Sequence, residues 1–216
     1  MNGVNLEDMV LVILVIIPAI ALHEFGHAKF ADLAGDPTPR AMGRVTLNPV
    51  AHFDPLGFVM IIITSLSGFG IGWGRPVIVD PRRMNNPRWD HFVSVLAGPM
   101  MNILQAVVYG LGARVALRFG GSDLLIDWLF LGVEINLSLC FFNLIPFGPL
   151  DGHWLVGTFL PDKQRLVWNR FSQSTGAIIL FGLIVIGQFS PQYSIITLLI
   201  RPPVEALSHK ILPPLP

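Results

Sequence analysis

A single cysteine, Cys140, excludes an internal disulfide and any cysteine-rich structural zinc site. Charge is scarce too: Asp, Glu, Lys and Arg make up 13% of the 216 residues, and fourteen basic side chains cancel fourteen acidic ones. With no net field, the composition gives no reason to expect nucleic acid or an acidic ligand as a partner. No internal repeat is visible, and no linker is long enough to separate two domains. No basic stretch precedes the first apolar run and no small-x-small cleavage motif follows it, so it reads as retained rather than as a cleaved signal. Hydrophobic residues dominate instead, at 52% with a mean hydropathy of +0.62. That balance lies outside the range of soluble domains and points to an integral membrane protein.

A bilayer core about 30 Å thick needs roughly 20 apolar residues per helix. Runs of this kind cover about Met9 to Leu33, Leu56 to Trp73, Phe92 to Leu117, and Leu124 through Leu144 and onward. Shorter ones cover Thr175 to Phe189 and Tyr193 to Ile200, the latter ending at Arg201-Pro202-Pro203. The expected fold is an all-α polytopic membrane protein with five to six transmembrane or re-entrant helices, forming one domain over 1–216. Its core would occupy about 9–160, with C-terminal helices and a Pro-rich LPPLP tail over 161–216. Ala41 to Leu47 and Arg75 to Val79 carry β-branched residues bounded by Pro, Gly and Asn, so short membrane-associated strands are expected between the first and third helices.

Nothing basic precedes the first run, whereas Lys29, Arg40 and Arg44 follow it, which places the N-terminus outside. Strict alternation would then put Arg75, Arg82, Arg83 and Arg88 outside as well, against the bias. If Leu56 to Trp73 dips in and returns through SGFGIGWG at 67–74, all seven basic residues stay inside. A plain span and a re-entrant path both remain open, because irregular backbone at membrane depth must be covered by protein or a wet cavity.

The first run leads directly into ALHEFGHAKF, residues 21–30, where ionisable groups sit inside an apolar helix. On a helix, His23 and His27 are one turn plus about 40° apart and can meet one zinc ion. Glu24, about 100° round, can reach a metal-bound water as general base. A chance HExxH is a poor explanation here, since each charged group at a helix centre costs about 3 kcal/mol on insertion scales. At about 1.5 Å per residue, the fourteen residues from Met9 to His23 descend about 20 Å, into the cytoplasmic half of the bilayer.

Two histidines leave a catalytic zinc one protein ligand short. The candidates are Asp32, Asp36, His52, Asp54, Asp80, Asp90, His91, Asp151 and His153. Asp151 is best placed, because Pro146, Gly148, Pro149 and Gly152 break the apolar FFNLIPFGPLDGHW segment and expose backbone polar groups that need partners. Capping of a restarted helix is the competing role for Asp151. Asn143 offers an amide donor near a developing oxyanion, and Asn102 places another amide in the membrane interior, where helix packing is the competing role. His153, about 200° from Asp151 on a helix, faces elsewhere. His52 reads as a hydrogen-bonded loop anchor and otherwise as an accessory site residue. Asp54 reads as a cap or turn residue, and Cys140 packs as a small apolar residue.

In combination and in this order, HEFGH, AGPMMN at 97–102 and NLIPFGPLDG at 143–152 resemble the site-2 protease family of intramembrane zinc metallopeptidases. TLNPVAHFDPLG and GWGRPVIVDPRRMNNPR resemble its small prokaryotic branch, which lacks the PDZ or CBS domains that some relatives carry. The resemblance implies a three-helix catalytic core with one zinc per chain held by His23, His27 and Asp151, and Glu24 as general base. It also implies cleavage of a transmembrane protein substrate by a multi-pass protein of a prokaryotic cell membrane, whose active site the basic-residue bias puts towards the cytoplasm. Asn102 and Asn143 would position substrate, which the β-structure of 41–79 would present as an added strand. Two positions depart from the family pattern: Gly148 stands where Pro is frequent, and His153 where a small residue is.

Two other classes fit membrane-embedded His, Glu and Asp. An ion or proton transporter uses these residue types, but needs no HExxH register. A catalytically silent zinc scaffold predicts loss of Glu24 or of a ligand, and none is missing. The sequence leaves the physiological substrate and any homo-oligomer undetermined.

Overall fold

The computed structural model describes residues 6–67, 72–189 and 194–214, with side chains for all of these except 65–67. The described residues form helices joined by short irregular segments. Helix α1 (Leu6–Leu33) is followed by the single turn α2 (Thr38–Ala41), a 3₁₀ turn over Pro49–His52, and α3 (Pro55–Ser67). Two long helices follow, α4 (Trp89–Arg118) and α5 (Asp123–Asn143). Beyond a seven-residue break lie α6 (Asp151–Phe159), α7 (Asp162–Phe171), α8 (Ala177–Phe189) and α9 (Ile195–Ile211).

Polar side chains punctuate these helices at their starts. The Asp54 carboxylate accepts from Gly57 N (2.7 Å) before α3, Ser122 Oγ from Leu125 N (3.3 Å) before α5, and Ser194 Oγ from Thr197 N (3.2 Å) before α9. Each satisfies a backbone donor that has no partner within its own helix.

Helices α1, α4 and α5 pack against one another, and small residues make the close approach possible. Ala19, Ala28, Ala31, Ala106 and Ala113 are fully buried, and a Cβ on Gly26 would lie 2.8 Å from the Ala97 carbonyl oxygen. This is the packing expected where lipid supplies no hydrophobic drive between helices and van der Waals fit must do so. On α4 the buried Ala106, Gly110 and Ala113 share one face, while Leu104, Val108, Leu111 and Val115 are exposed at helical spacing on another. Such an apolar outer stripe suits lipid rather than water. Arginines tie the ends together. Arg88 donates to the carbonyls of Thr158 (2.7 Å) and Leu160 (2.9 Å), fastening the end of α6 to the start of α4. Arg114 caps α9 through Lys210 O and Ile211 O.

Among the described residues, four helical stretches are long and apolar enough to cross a membrane: Leu6–Leu33, Trp89–Arg118, Asp123–Asn143 and Asp162–Phe189. The expected count of five to six transmembrane or re-entrant helices is not supported: four stretches qualify as spans, and α3 is a shorter apolar helix beside them. The run at 175–189 does not start a helix of its own, because a π turn over Ser172–Gly176 joins α7 to α8. Helix α9 does not end at Arg201-Pro202-Pro203 but continues through it, and its 17 residues are too short and too interrupted for a span. Helix α3, at 13 residues, extends only about 20 Å.

The expected strands are absent among the described residues. Residues 41–47 curl into a turn in which Gly43 takes φ +68° and Arg44 N donates to Pro39 O at 2.8 Å. Arg75–Val79 has no regular secondary structure and finds no ladder partner, because its backbone groups go elsewhere. Arg75 N donates to His52 O (2.9 Å), Val77 N to a Glu24 carboxylate oxygen (2.9 Å), and Pro76 has no N–H.

The course of the chain around α3 bears on the choice between span and return. Residues 68–71 of the SGFGIGWG stretch lie outside the described residues, but the chain leaves at His52 and is hydrogen-bonded to it again at Arg75. A Cβ on Gly57 would overlap the Trp73 carbonyl, and one on Gly72 would overlap the Ile61 side chain. Residues 72 and 73 thus lie beside the helix that precedes them, and the segment folds back to its starting level.

Candidate metal centre

The site begins with two imidazoles one turn apart on α1, buried at 7% and 8% exposure. Each ring is held by its Nδ1. His27 Nδ1 lies 2.9 Å from the carbonyl oxygen of Ser94, which can only accept, so Nδ1 carries the proton. His23 Nδ1 lies 2.7 Å from Asn102 Oδ1. The Asn102 amide nitrogen donates to Ala19 O (3.2 Å) and Asn136 Oδ1 (3.1 Å), so its oxygen is the end that faces His23. Both rings then present an Nε2 lone pair, and these two atoms are 3.0 Å apart.

The third group is Asp151. Its Oδ2 lies 3.3 Å from His23 Nε2 and 3.4 Å from His27 Nε2, and these three residues form the candidate cation cluster among the described residues. Two lone pairs and a carboxylate oxygen at such separations can be satisfied together by one metal ion, whereas a proton can bridge one pair only. Bonds of about 2.0–2.1 Å to a tetrahedral zinc place ligand atoms about 3.3 Å apart, so the donor set fits that ion.

Asp151 arrives by way of the break after α5. It makes no cap of α6, and its Oδ2 has no hydrogen-bond partner. Gly148, the departure from the family pattern, is explained by its surroundings: its N–H donates to Ser172 Oγ (2.8 Å), and a Cβ there would come within 2.8 Å of Ser172 O. Proline would remove that donor. A second glycine makes room for the imidazoles. A Cβ on Gly98 of α4 would overlap the His27 ring and lie 2.9 Å from His23 Cε1. Gly98→Ala is therefore expected to displace both rings, lowering stability by about 1–3 kcal/mol as other overpacked sites do and weakening zinc retention. Thermal unfolding and metal analysis of the purified protein check both effects.

Glu24 lines the same cavity as the three ligands. One of its oxygens, Oε2, accepts from Val77 N, so the irregular segment 72–80 holds the carboxylate in place. That segment is itself anchored by Arg44, a buried guanidinium whose Nη2 donates to Arg75 O. Burial lowers the Arg44 pKa, opposed by the Glu24 charge.

The other candidates are occupied elsewhere. Asp32 pairs with Arg40 (2.6 Å), Asp80 with Arg82 (2.9 Å), and Asp36 accepts from Thr38 N (3.0 Å) and Asp80 N (2.7 Å). Asp54 caps α3 and Asp90 accepts from Asn86 N at 2.7 Å. His153 donates from Nδ1 to Leu150 O (2.5 Å), and His91 packs edge-on against Trp154 at the cavity wall. His52 lies outside the cluster: its Nε2 meets Thr46 O at 2.9 Å and its carbonyl holds Arg75, while burial pushes its pKa down. Asn143 lines the cavity and donates to Leu139 O of its own helix (2.9 Å). Asn102 has both amide hydrogens committed to protein, so the donor expected to face substrate is already used. Ser94, Asn136 and Val77 escape a reading of the sequence, since Ser94 and Val77 act through backbone atoms and Asn136 through a contact 34 residues away.

The cavity measures about 880 Å³, well within the size of ligand sites. The metal ligands and Glu24 form one wall, and apolar side chains of α8 such as Leu180, Ile184 and Val185 form another.

Fold and centre together define a helical protein with membrane-spanning stretches and a buried His-His-carboxylate cluster able to hold a metal ion. Comparison with known proteins narrows the class. The chain is 32% identical over 190 residues to "Putative zinc metalloprotease YwhC" of Bacillus subtilis, covering 83% of this chain and 82% of that protein. Over 151 residues it is 31% identical to "Putative zinc metalloprotease Rip2" of Mycolicibacterium smegmatis and 32% identical to that of Mycobacterium tuberculosis. These matches cover 68% of this chain and 56% of each Rip2 protein, so the chain spans just over half their length. No family model and no solved structure matches. The chain belongs to the zinc metalloprotease family that includes YwhC.

Proposed function

We propose that this protein is an intramembrane zinc endopeptidase of the site-2 protease type, cutting peptide bonds within or near transmembrane segments of other membrane proteins. The observation that carries this reading is the meeting of three ligand atoms and Glu24 within a helix bundle whose outer faces are apolar. His23, His27 and Asp151 would hold one zinc per chain. When bound, zinc supplies Lewis-acid polarisation of a carbonyl and lowers the pKa of a coordinated water. Glu24 takes the proton of the attacking water through the oxygen that Val77 leaves free, then returns it to the departing amine. Asn143, on the cavity wall, positions the substrate carbonyl. The apolar wall formed by α8 excludes bulk water and accepts apolar side chains of a substrate unwound enough to expose its amide.

The same reading gives an orientation. With the N-terminus outside and the segment around α3 re-entrant, Lys29, Arg40, Arg44, Arg75, Arg82, Arg83 and Arg88 share the inner side, as the distribution of basic residues favours. The metal then lies in the cytoplasmic half of a prokaryotic cell membrane, and water reaches it from that side. An ion pathway is disfavoured because Glu24, immediately after the first ligand, is placed to act on a coordinated water.

The test is reconstitution of the full chain in liposomes with a transmembrane reporter. Fragments are expected to appear, to cease on adding a zinc chelator, and to return with zinc. Metal-independent proton movement without cleavage would overturn the assignment.

A further inference from the structure

We infer that Asn136 is a positioning residue for the metal centre: by orienting Asn102 it sets the tautomer of His23, and it registers α5, the helix that delivers Asp151, against α1 and α4. This rests on the zinc reading above and adds a residue to it. Asn136 is fully buried and touches neither the cavity nor any ligand. Its side chain is nonetheless doubly bonded, its amide nitrogen donating to Gly132 O (2.9 Å) and its oxygen accepting from Asn102 Nδ2 (3.1 Å). The Gly132 carbonyl can only accept, so the Asn136 amide has one workable orientation, with its oxygen towards Asn102.

That orientation is passed along. With its nitrogen held by Asn136 and Ala19, Asn102 turns its oxygen to His23 Nδ1. The His23 proton then sits on Nδ1, and Nε2 is left with the lone pair a metal needs. If the Asn102 amide were reversed, its N–H would face Nδ1, the ring proton would move to Nε2, and a metal would have to displace it. The chain of bonds runs from α1 through α4 to α5, in a setting where an unpaired amide is costly. Seven residues, about two turns, separate Asn136 from Asn143, where the helix ends. The same amide therefore fixes the level at which the break begins and Asp151 is presented.

Three variants of the full-length, detergent-purified protein, with Asn102→Leu as the reference for the third, test this, with zinc affinity read by competition against a chromogenic chelator. Asn136→Leu removes both bonds while roughly keeping volume, and is expected to weaken zinc binding about 10-fold, within the 10–100-fold range for groups that orient a ligand. Asn136→Asp, which is neutral when buried and protonated, can donate to Gly132 and accept from Asn102, and is expected to stay within about threefold of wild type by the same measure. In the third, Asn102→Leu with Asn136→Leu, zinc binding should be no weaker than in Asn102→Leu alone, since Asn136 acts through Asn102. Wild-type affinity in Asn136→Leu, failure of Asp to rescue, or additive losses in the double variant would each overturn the assignment. If Asn136→Leu does not fold, the Asp rescue and Asn136→Ala carry the test. A wild-type protein that binds no zinc would instead refute the zinc reading itself.

Discussion

Glu24→Gln is expected to lower the rate of reporter cleavage by a factor on the order of 10²–10⁴, the usual range for a general acid–base group, while zinc content stays at the wild-type level. The reason lies in how the residue is held. Its Oε2 accepts from Val77 N, and a glutamine oxygen can accept the same bond, so segment 72–80 keeps its anchor. The amide that replaces the other oxygen cannot take a proton from water. Fold and metal site should therefore survive a change that removes the base. Rate loss should fall on kcat, because proton transfer belongs to the transition state more than to substrate binding. Two measurements decide the point: turnover of the reconstituted enzyme, and zinc per chain of the same preparation. Unchanged turnover would remove Glu24 from the chemistry, and lost zinc would show that it supports the ligands instead.

The centre is legible in the sequence to the extent that helical periodicity controls it. His23, Glu24 and His27 are set by spacing on one uninterrupted helix, and no tertiary information is needed to put two imidazoles on one face. Asp151 is legible for a different reason: a cluster of Pro and Gly in an apolar helix is costly unless the broken backbone is used. The rest depends on contacts between distant segments. Arg75–Val79 has the β-branched residues of a strand, but pairing is a property of two segments, and here Glu24 and His52 claim the bonds that a ladder would use. The helix count fails where local signals mislead. Ser172–Gly176 reads as a polar interruption, yet a π turn carries the helix through it with Ser172 fully buried against Gly148. Arg201-Pro202-Pro203 reads as a stop, yet α9 continues because Val204 packs onto Ala106, Val133 and Leu137.

Asp151→Ala is expected to abolish stable zinc binding and, with it, cleavage. In the native arrangement the carboxylate closes a triangle with the two imidazoles, its Oδ2 being 3.3 and 3.4 Å from their Nε2 atoms. Removing it leaves two neutral nitrogens, one ligand fewer than catalytic zinc sites use. The other aspartates that the sequence offers as third ligands, Asp32, Asp36, Asp54, Asp80 and Asp90, are engaged in caps, backbone hydrogen bonds and ion pairs. Asp151→Asn separates charge from shape: it keeps a neutral oxygen donor in the same place, so zinc retention should fall between Ala and wild type. The order Asp, Asn, Ala should appear in metal analysis after dialysis against increasing chelator. If Asp151→Ala held zinc as firmly as the native protein, the third ligand would lie elsewhere, and the break after α5 would have to be explained without a metal.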